Sequence, residues 1–218
     1  MPPRFDIARQ VDLLGADSLL PPSKYVSSGA DISADGKYRY LLWREWRNHP
    51  KPAKWHWWKN DDGSAVVDGA GHPIGEPKSV LFVMLNPSTA DADIDDPTIR
   101  KCVGFAKRWG FDRMEVVNLF AYRATDPRVL LRLPERDDPF GVRNQEVIQQ
   151  AAWDCAMIVC AWGTHGAHLG QNETVLGWIE GCQSKPLGAL GFSKNGEPRH
   201  PLMLSYKTPI VSMGGSRG

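Results

Sequence analysis

The run Ser79–Leu85 constrains the fold of this chain more than any other stretch. It is almost entirely apolar and shows no alternation with polar residues, which is typical of a strand buried on both faces inside a parallel sheet. The run stops at Asn86-Pro87, where proline cannot donate to a sheet ladder. We therefore predict an interior strand whose carboxyl end carries Asn86, at the edge where open α/β sheets bind ligands.

A helix is predicted after this strand and a polar loop. Asp96-Pro97 combines an N-cap residue with proline at the first helical position, and Gly110 marks the end. Apolar residues recur at helical spacing between them, so we expect a helix over 97–109. An apolar strand at 114–119 then completes a right-handed βαβ unit, and it too ends near a polar residue, Asn118.

The rest of the chain continues the alternation of strands and helices. Its periodicity predicts, in order, a strand at 37–44, a helix from 139 to about 153, a strand at 156–161, a helix from about 167 to 181 and a weak strand at 187–192. The fold class expected from this order is α/β, with about four parallel strands between helices.

Proline and glycine mark the predicted domain boundaries. Residues 1–35 are expected to form an N-terminal extension with one short helix around 7–14. A single α/β domain is expected over 36–218, and its polar, Gly- and Pro-rich stretch 46–78 is predicted to be an insertion or flap.

Composition excludes several classes of protein. The formal net charge is +1, which by itself demands neither nucleic acid nor a membrane. No apolar run approaches membrane length and no signal-peptide pattern opens the chain, so we expect a cytoplasmic, monomeric protein without membrane contact. The cysteines lack metal-binding spacing, which predicts buried thiols in a reducing compartment and no bound metal or cofactor. These cysteines are Cys102, Cys155, Cys160 and Cys182.

Several polar groups are predicted to converge on one edge of the sheet. They are Asn86, Asn118, the turn 162–165 and His200-Pro201. A uracil-like ring presents an acceptor–donor–acceptor edge, which the amide of Asn118 can pair in two hydrogen bonds. Asn86 can orient a water through its carbonyl oxygen, and His200 can donate to a ring oxygen as negative charge builds on a departing base.

Four short motifs resemble those of the uracil-DNA glycosylase superfamily, in the same order over 79–207. Leu85-Asn86-Pro87-Ser88 resembles the first motif in the Asn-Pro form of the mismatch-specific and single-strand-selective branches. Val116-Val117-Asn118-Leu119 resembles the strand that reads the pyrimidine, and Val159-Cys160-Ala161-Trp162-Gly163 a later strand that ends in Trp-Gly. His200-Pro201 with Leu204-Ser205 resembles the loop whose His contacts the base and whose Leu wedges into the duplex. The stretch from Leu85 to Asp96 also resembles an uncharacterised bacterial and phage family with the hallmark Leu-Asn-Pro-Ser-Thr-Ala-Asp.

The glycosylase resemblance implies a three-layer α/β/α fold around a mostly parallel four-stranded sheet. It also implies a monofunctional DNA glycosylase that flips a pyrimidine from single- or double-stranded DNA and hydrolyses its N-glycosidic bond. The predicted catalytic residues are Asn86 and His200, and the predicted base-binding residues are Leu85, Pro87, Ser88, Asn118 and Phe120. The predicted DNA contacts are Trp162, Gly163, Arg199, Leu204, Ser205 and Lys207.

The chain departs from the glycosylase pattern at several positions. Met84 and Ser88 stand where glycine is usual, and Leu202-Met203 replace Ser-Pro. No aromatic residue follows Pro87, so the site is expected to stay open at C5 of the pyrimidine. Candidates for the ring that stacks on the base are Trp43, Trp57, Phe120 and Tyr122.

The same residues are also compatible with other functions and with purely structural roles. The same pocket is also suited to a module that binds a nucleotide or modified base without cleaving it. The acidic run Asp91–Asp96 is compatible with a Mg²⁺-dependent phosphohydrolase, although such runs are more often solvated loops with one N-cap. Asn86 and Asn118 are also suited to capping turns, and His165 and His168 to starting a helix.

Overall fold

A computed structural model describes residues 24–46, 78–88, 94–133, 138–181 and 185–213. These residues form a seven-stranded mixed sheet in the order β1-β2-β4-β3-β5-β6-β7. The four neighbouring strands β4, β3, β5 and β6 are parallel, whereas β1, β2 and β7 pair antiparallel with their neighbours. The strands are β1 (Ser27–Ile32), β2 (Arg39–Glu45), β3 (Ser79–Met84), β4 (Arg113–Asn118), β5 (Met157–Cys160), β6 (Leu187–Ala189) and β7 (Val211–Ser212).

Four α-helices accompany this sheet within the described residues. They are α1 (Pro97–Arg108), α2 (Pro127–Leu130), α3 (Asn144–Asp154) and α4 (Gln171–Glu180). The helix predicted from 139 begins five residues later. Asp138 instead accepts hydrogen bonds from the backbone N–H groups of Phe140 and Gly141, and Gly141 has φ +78°, so a turn occupies the expected first helical turn.

Strand β3 is the centre of the core, and every one of its residues is buried. Val80, Phe82 and Met84 belong to a cluster that includes the apolar side of α1. Leu81 and Val83 belong to a second cluster, with α3 and α4. Helices therefore cover both faces of the strand, which explains why its sequence does not alternate. The predicted α/β class is confirmed, but the sheet is seven-stranded and mixed rather than four-stranded and mostly parallel.

Strand β1 lies within the stretch 1–35 that was predicted to be an N-terminal extension, called the arm below. It pairs with β2, and its sequence of small and polar residues is half-buried, as expected for an edge strand. Just before it, Lys24 and Tyr25 bind the carboxylate of Asp95, which joins the arm to the loop before α1. The short helix predicted around 7–14 lies outside the described residues, as does almost all of the predicted flap, from 47 to 77.

The described cysteines are buried free thiols, as predicted. Cys102, Cys155 and Cys160 lie in the core, and burial raises the pKa of all three thiols, that of Cys155 to about 12. Cys182 lies outside the described residues. None of the described helices has the length and apolar character needed to cross a membrane.

Candidate functional site

The carboxyl ends of β3, β4 and β5 open into one cavity of about 410 Å³. This volume falls within the range of roughly 300–1,000 Å³ that is usual for small-molecule sites. The three side chains that the sequence analysis expected to converge, Asn86, Asn118 and His200, all line it. The remaining lining residues are Arg39, Met84, Leu85, Ser88, Asp96, Thr98, Ile99, Val116, Ala124, Thr125, Trp162, Gly163, Thr164, His165 and Leu202.

Asn118 is the most unusual group in the cavity wall. It is the last residue of β4, its exposed fraction is 1%, and neither Oδ1 nor Nδ2 has a hydrogen-bond partner among the described residues. A buried polar atom left unpaired costs about 1–3 kcal/mol, so such groups are rare in native proteins. Both atoms of this amide are thus available to a ligand with a donor next to an acceptor.

The hydrogen bonds of Asn86 fix the orientation of its amide. Nδ2 donates to the backbone oxygen of Ala124 at 2.8 Å and to that of Pro87 at 3.2 Å. Because these two contacts identify the donor atom as Nδ2, the remaining atom of the amide is the acceptor Oδ1. None of the described residues donates a hydrogen bond to Oδ1. Asn86 consequently offers the cavity an acceptor, which is the group needed to hold a water molecule.

His200 lies immediately before the 3₁₀ turn Pro201–Met203 and is half-buried. Its Nδ1 accepts a hydrogen bond from the backbone N–H of Leu202 at 3.3 Å. The proton of the neutral imidazole is then on Nε2. Burial lowers the pKa of His200, and the nearby charge of Asp96 opposes this only in part. At neutral pH, His200 is therefore an uncharged N–H donor.

This burial gives a testable pH dependence. The pKa of His200 in the folded protein is expected to lie below the ordinary value of about 6.5. Because the unfolded chain then binds more protons between these two pKa values, stability should fall as the pH drops from about 6.5 through the folded-state pKa. NMR titration of the imidazole gives the pKa, and urea denaturation of the native protein and His200→Gln gives the linked stability. A titration midpoint above 6.5 would contradict the assignment.

Arg39 and Asp96 place a buried cation and an anion in the same wall. Arg39, on β2, is 2% exposed, and burial lowers its pKa to about 10, so it stays charged at neutral pH. Asp96 caps α1 by accepting from the backbone N–H of Ile99 at 2.7 Å, and its other oxygen accepts from the Ser88 hydroxyl at 2.6 Å. The N-cap role was predicted, but the contribution of Arg39 was missed, because it depends on β2 pairing beside β4.

A buried hydrogen-bond network holds the His200 loop against the end of β5. Trp162 Nε1 donates to Glu197 Oε2, and Asn172 Nδ2 donates to Glu197 Oε1 at 2.9 Å. The backbone N–H of Gly163 donates to the oxygen of Pro198 at 2.9 Å. Sequence reasoning missed Glu197, whose partners lie 25 and 35 residues away in the chain.

Gly166 packs directly on this network, and its replacement provides a stability test. A Cβ atom at this position would overlap the Trp162 ring and lie 2.8 Å from Glu197 Oε2. Gly166→Ala is expected to lower the free energy of unfolding by about 1–3 kcal/mol, the usual effect of overpacking. The matched control is Gly177→Ala in α4, where a Cβ meets nothing within 4 Å. This variant should raise the free energy of unfolding by up to about 1 kcal/mol, because alanine favours a helix more than glycine does. Equal urea midpoints for the two variants would show that Gly166 is not under steric constraint.

The predicted DNA-contacting residues are divided between exposed and buried positions. Arg199, Ser205 and Lys207 are exposed. Leu204 is only 5% exposed and belongs to the core cluster with α1, so its side chain is not placed to wedge into a duplex. The exposed apolar side chains of that loop are Leu202 and Met203, at 39% and 88%.

The predicted base-contacting residues are also divided. Leu85 and Ser88 line the cavity, whereas Phe120 is fully buried against Phe140 and is not part of the cavity wall. Pro87 is buried and contributes its backbone oxygen to Asn86.

The ring available for stacking differs from the predicted candidates. Trp43, Tyr122 and Phe120 do not line the cavity, and Trp57 lies outside the described residues. Of the described residues that do line it, Trp162 carries the one large aromatic ring. Trp162 and Gly163 were predicted to contact DNA. In the structure Trp162 is 2% exposed, and both residues form part of the cavity wall.

The acidic run has structural partners where it is described. Asp95 binds Arg44 at 2.8 Å as well as Lys24 and Tyr25, and Asp96 caps α1. Asp91 and Asp93 lie outside the described residues. Within the described part of the chain, no three His, Cys, Asp or Glu side chains are grouped so as to hold a metal ion.

Fold and site together define an α/β protein with a ligand-sized cavity at the carboxyl edge of its parallel strands, whose wall includes several polar side chains. Residues 73–202 match the family described as "Protein of unknown function (DUF1643)". This match covers more than half of the chain, which therefore belongs to that family. No curated protein matches the chain, and no solved structure matches it.

Proposed function

We propose that this protein is a cytoplasmic, monofunctional DNA glycosylase that flips a pyrimidine into the cavity and hydrolyses its N-glycosidic bond. The substrate would be uracil, mismatched thymine or a modified pyrimidine, in base excision repair or in defence against modified foreign DNA. The observation that carries the proposal is the buried, unpaired amide of Asn118 in one cavity with Asn86 and His200. The proposal includes a glycosylase-like core built on the parallel strands β4, β3, β5 and β6.

Each of the three residues has a distinct role in the proposed reaction. The amide of Asn118 pairs with adjacent donor and acceptor atoms on the pyrimidine edge. Asn86 Oδ1 accepts a hydrogen bond from a water aimed at the sugar C1′. As the C1′–N1 bond breaks, its electron pair stays with the base, and His200 Nε2–H donates to the ring oxygen where negative charge collects. The water oxygen bonds to C1′ and loses a proton to solvent, and the base anion takes up a proton from solvent, which leaves a free base and an abasic sugar.

The chemistry of an amide predicts which bases leave fastest. Asn86 is a poor general base, so the reaction depends on an oxocarbenium-like sugar and on stabilisation of the departing base. The buried positive charge of Arg39 favours an anionic leaving group in the same cavity. Bases with an acidic N1–H should therefore be released fastest.

A second candidate function is a module that binds a nucleotide or modified base without cleaving it. Among the described residues that line the cavity, Asp96 carries the one carboxylate, and both of its oxygens already accept hydrogen bonds. A described wall in which the carboxylate is committed in this way is less suited to activating water than to binding.

The test is release of free base from synthetic DNA. Single- and double-stranded oligonucleotides carrying uracil, G·T mismatches or hypermodified pyrimidines are incubated with the protein, and released base is measured by chromatography. Release from at least one substrate is expected. No release from any of them overturns the glycosylase, and calorimetric binding of free bases or nucleotides without release supports the binding module.

A further inference from the structure

The polar side of helix α1 is entirely basic. Residues 97–108 include Arg100, Lys101, Lys107 and Arg108 and contain no aspartate or glutamate. None of these four side chains forms an ion pair with a carboxylate of the described residues. Exposed helices usually interleave opposite charges three or four residues apart. The molecule as a whole carries +1, so four positive charges on one helix, without an ion pair among the described residues, are a marked local concentration.

Tyr206 joins this helix to the segment that follows the His200 loop. A Cβ atom on Gly104 would overlap the Tyr206 ring, so the absence of a side chain there lets the ring lie directly on α1. Lys101 Nζ lies 4.0 Å from the ring centroid, and Arg108 Cζ lies 4.8 Å from it. An aromatic ring orients a cation without neutralising it, unlike a carboxylate. The contacts therefore hold two positive charges in place and leave them able to bind an anion.

The basic surface begins at the mouth of the cavity. Thr98 and Ile99 in the first turn of α1 line the cavity, as does Leu202 in the 3₁₀ turn that contacts α1. From Arg100 to Arg108 the helix rises about 12 Å, at 1.5 Å per residue. The phosphates of one strand rise about 3.4 Å apart along the axis of a DNA duplex, so a helix of this length lying parallel to that axis spans roughly three or four of them.

We propose that the α1 surface, composed of Arg100, Lys101, Lys107, Arg108, Tyr206 and Lys207, binds the phosphate backbone of the DNA strand whose base enters the cavity. This inference rests on the proposed function and names a surface for its polymeric substrate. A nucleic acid is favoured over an anionic membrane because it alone combines a row of phosphates with flat heterocycles that can pair with the unpaired Asn118 amide.

The experiment measures how salt weakens DNA binding. Fluorescence anisotropy gives the Kd for oligonucleotides without a target base, single- and double-stranded, over a series of NaCl concentrations. For Lys101→Gln/Arg108→Gln, the slope of log affinity against log salt should become shallower by roughly 1.4–1.8, since each lost phosphate contact removes about 0.7–0.9. Its Kd near 0.1 M salt should rise by at least about tenfold.

Two further variants control for folding and for charge in general. Arg100→Gln/Lys107→Gln removes two charges without touching Tyr206 and should give the same shift in slope. Arg128→Gln/Lys185→Gln removes two charges outside the α1 surface and should leave the slope unchanged. The charge of Arg128 is already paired with Asp126. Thermal denaturation confirms that each variant is folded.

The outcomes separate this inference from the proposed function. An unchanged slope in both α1 variants, or no salt-dependent DNA binding by the native protein, overturns the α1 surface. Binding to phosphatidylserine vesicles in place of DNA overturns the choice of partner. If base is released but the slope is unchanged in the α1 variants, the glycosylase is supported and the α1 surface is overturned. If the slope becomes shallower but no base is released, the α1 surface is supported and the glycosylase is overturned.

Discussion

Asn118→Leu is expected to make the protein more stable and to abolish pyrimidine binding. Leucine has the same number of side-chain heavy atoms as asparagine, branched at the same carbon, and no polar atoms, so the substitution removes two buried, unpaired groups without opening a cavity. The free energy of unfolding should rise by about 1–3 kcal/mol, the cost of an unsatisfied buried polar group. The same change removes the groups proposed to read the base, so base release should fall below detection.

Asn144 provides the matched control for this substitution. It is equally buried, and its Oδ1 also has no partner among the described residues, but its Nδ2 donates to the backbone oxygens of Asn118 and Leu119 at 3.0 and 3.2 Å. Asn144→Leu should therefore lower the free energy of unfolding by about 1–3 kcal/mol. Urea denaturation of both variants, with a base-release assay, makes the comparison. If Asn118→Leu is destabilised as much as Asn144→Leu, the amide of Asn118 has a structural partner and the site loses its main support.

The parts of the fold that were predicted from sequence are those fixed by local patterns. Burial on both faces marked β3, and the Asp96-Pro97 cap marked the start of α1. Strands β1 and β7 were missed because edge strands need no apolar pattern; β7 has two exposed residues. The five-residue error at the start of α3 came from the turn chemistry of Asp138, which competes with a helix.

The candidate site was predictable only in part, for a related reason. A polar residue at the end of an apolar strand pointed to Asn86 and Asn118, since parallel strands place their carboxyl ends together. Arg39 enters the cavity from an antiparallel strand, and Leu204 turns into the core, and neither follows from local sequence. The amide orientation of Asn86 depends on Ala124, 38 residues away, and so required the folded structure.

Asn86→Ala is expected to lower the rate of base release by about 10²–10⁴-fold, the usual contribution of a residue that positions or activates a reacting group. DNA affinity should change little, because Asn86 acts on the water and not on the phosphates. The substitution also removes the Asn86 donor from the backbone oxygen of Ala124, whereas the oxygen of Pro87 still accepts from the backbone N–H of Ala124. The free energy of unfolding should therefore fall by about 1 kcal/mol. Single-turnover release, anisotropy and urea denaturation measure the three quantities.

Comparison with Asn86→Asp separates a catalytic from a structural role. Aspartate keeps an oxygen that can accept from water but sets a carboxylate against the oxygens of Ala124 and Pro87, so it should destabilise the protein more than alanine does. If Asn86 orients the water, the aspartate variant should nevertheless release base faster than the alanine variant, because the acceptor is retained. If release instead follows stability, so that aspartate is the slower variant, Asn86 only ties together the loops after β3 and β4.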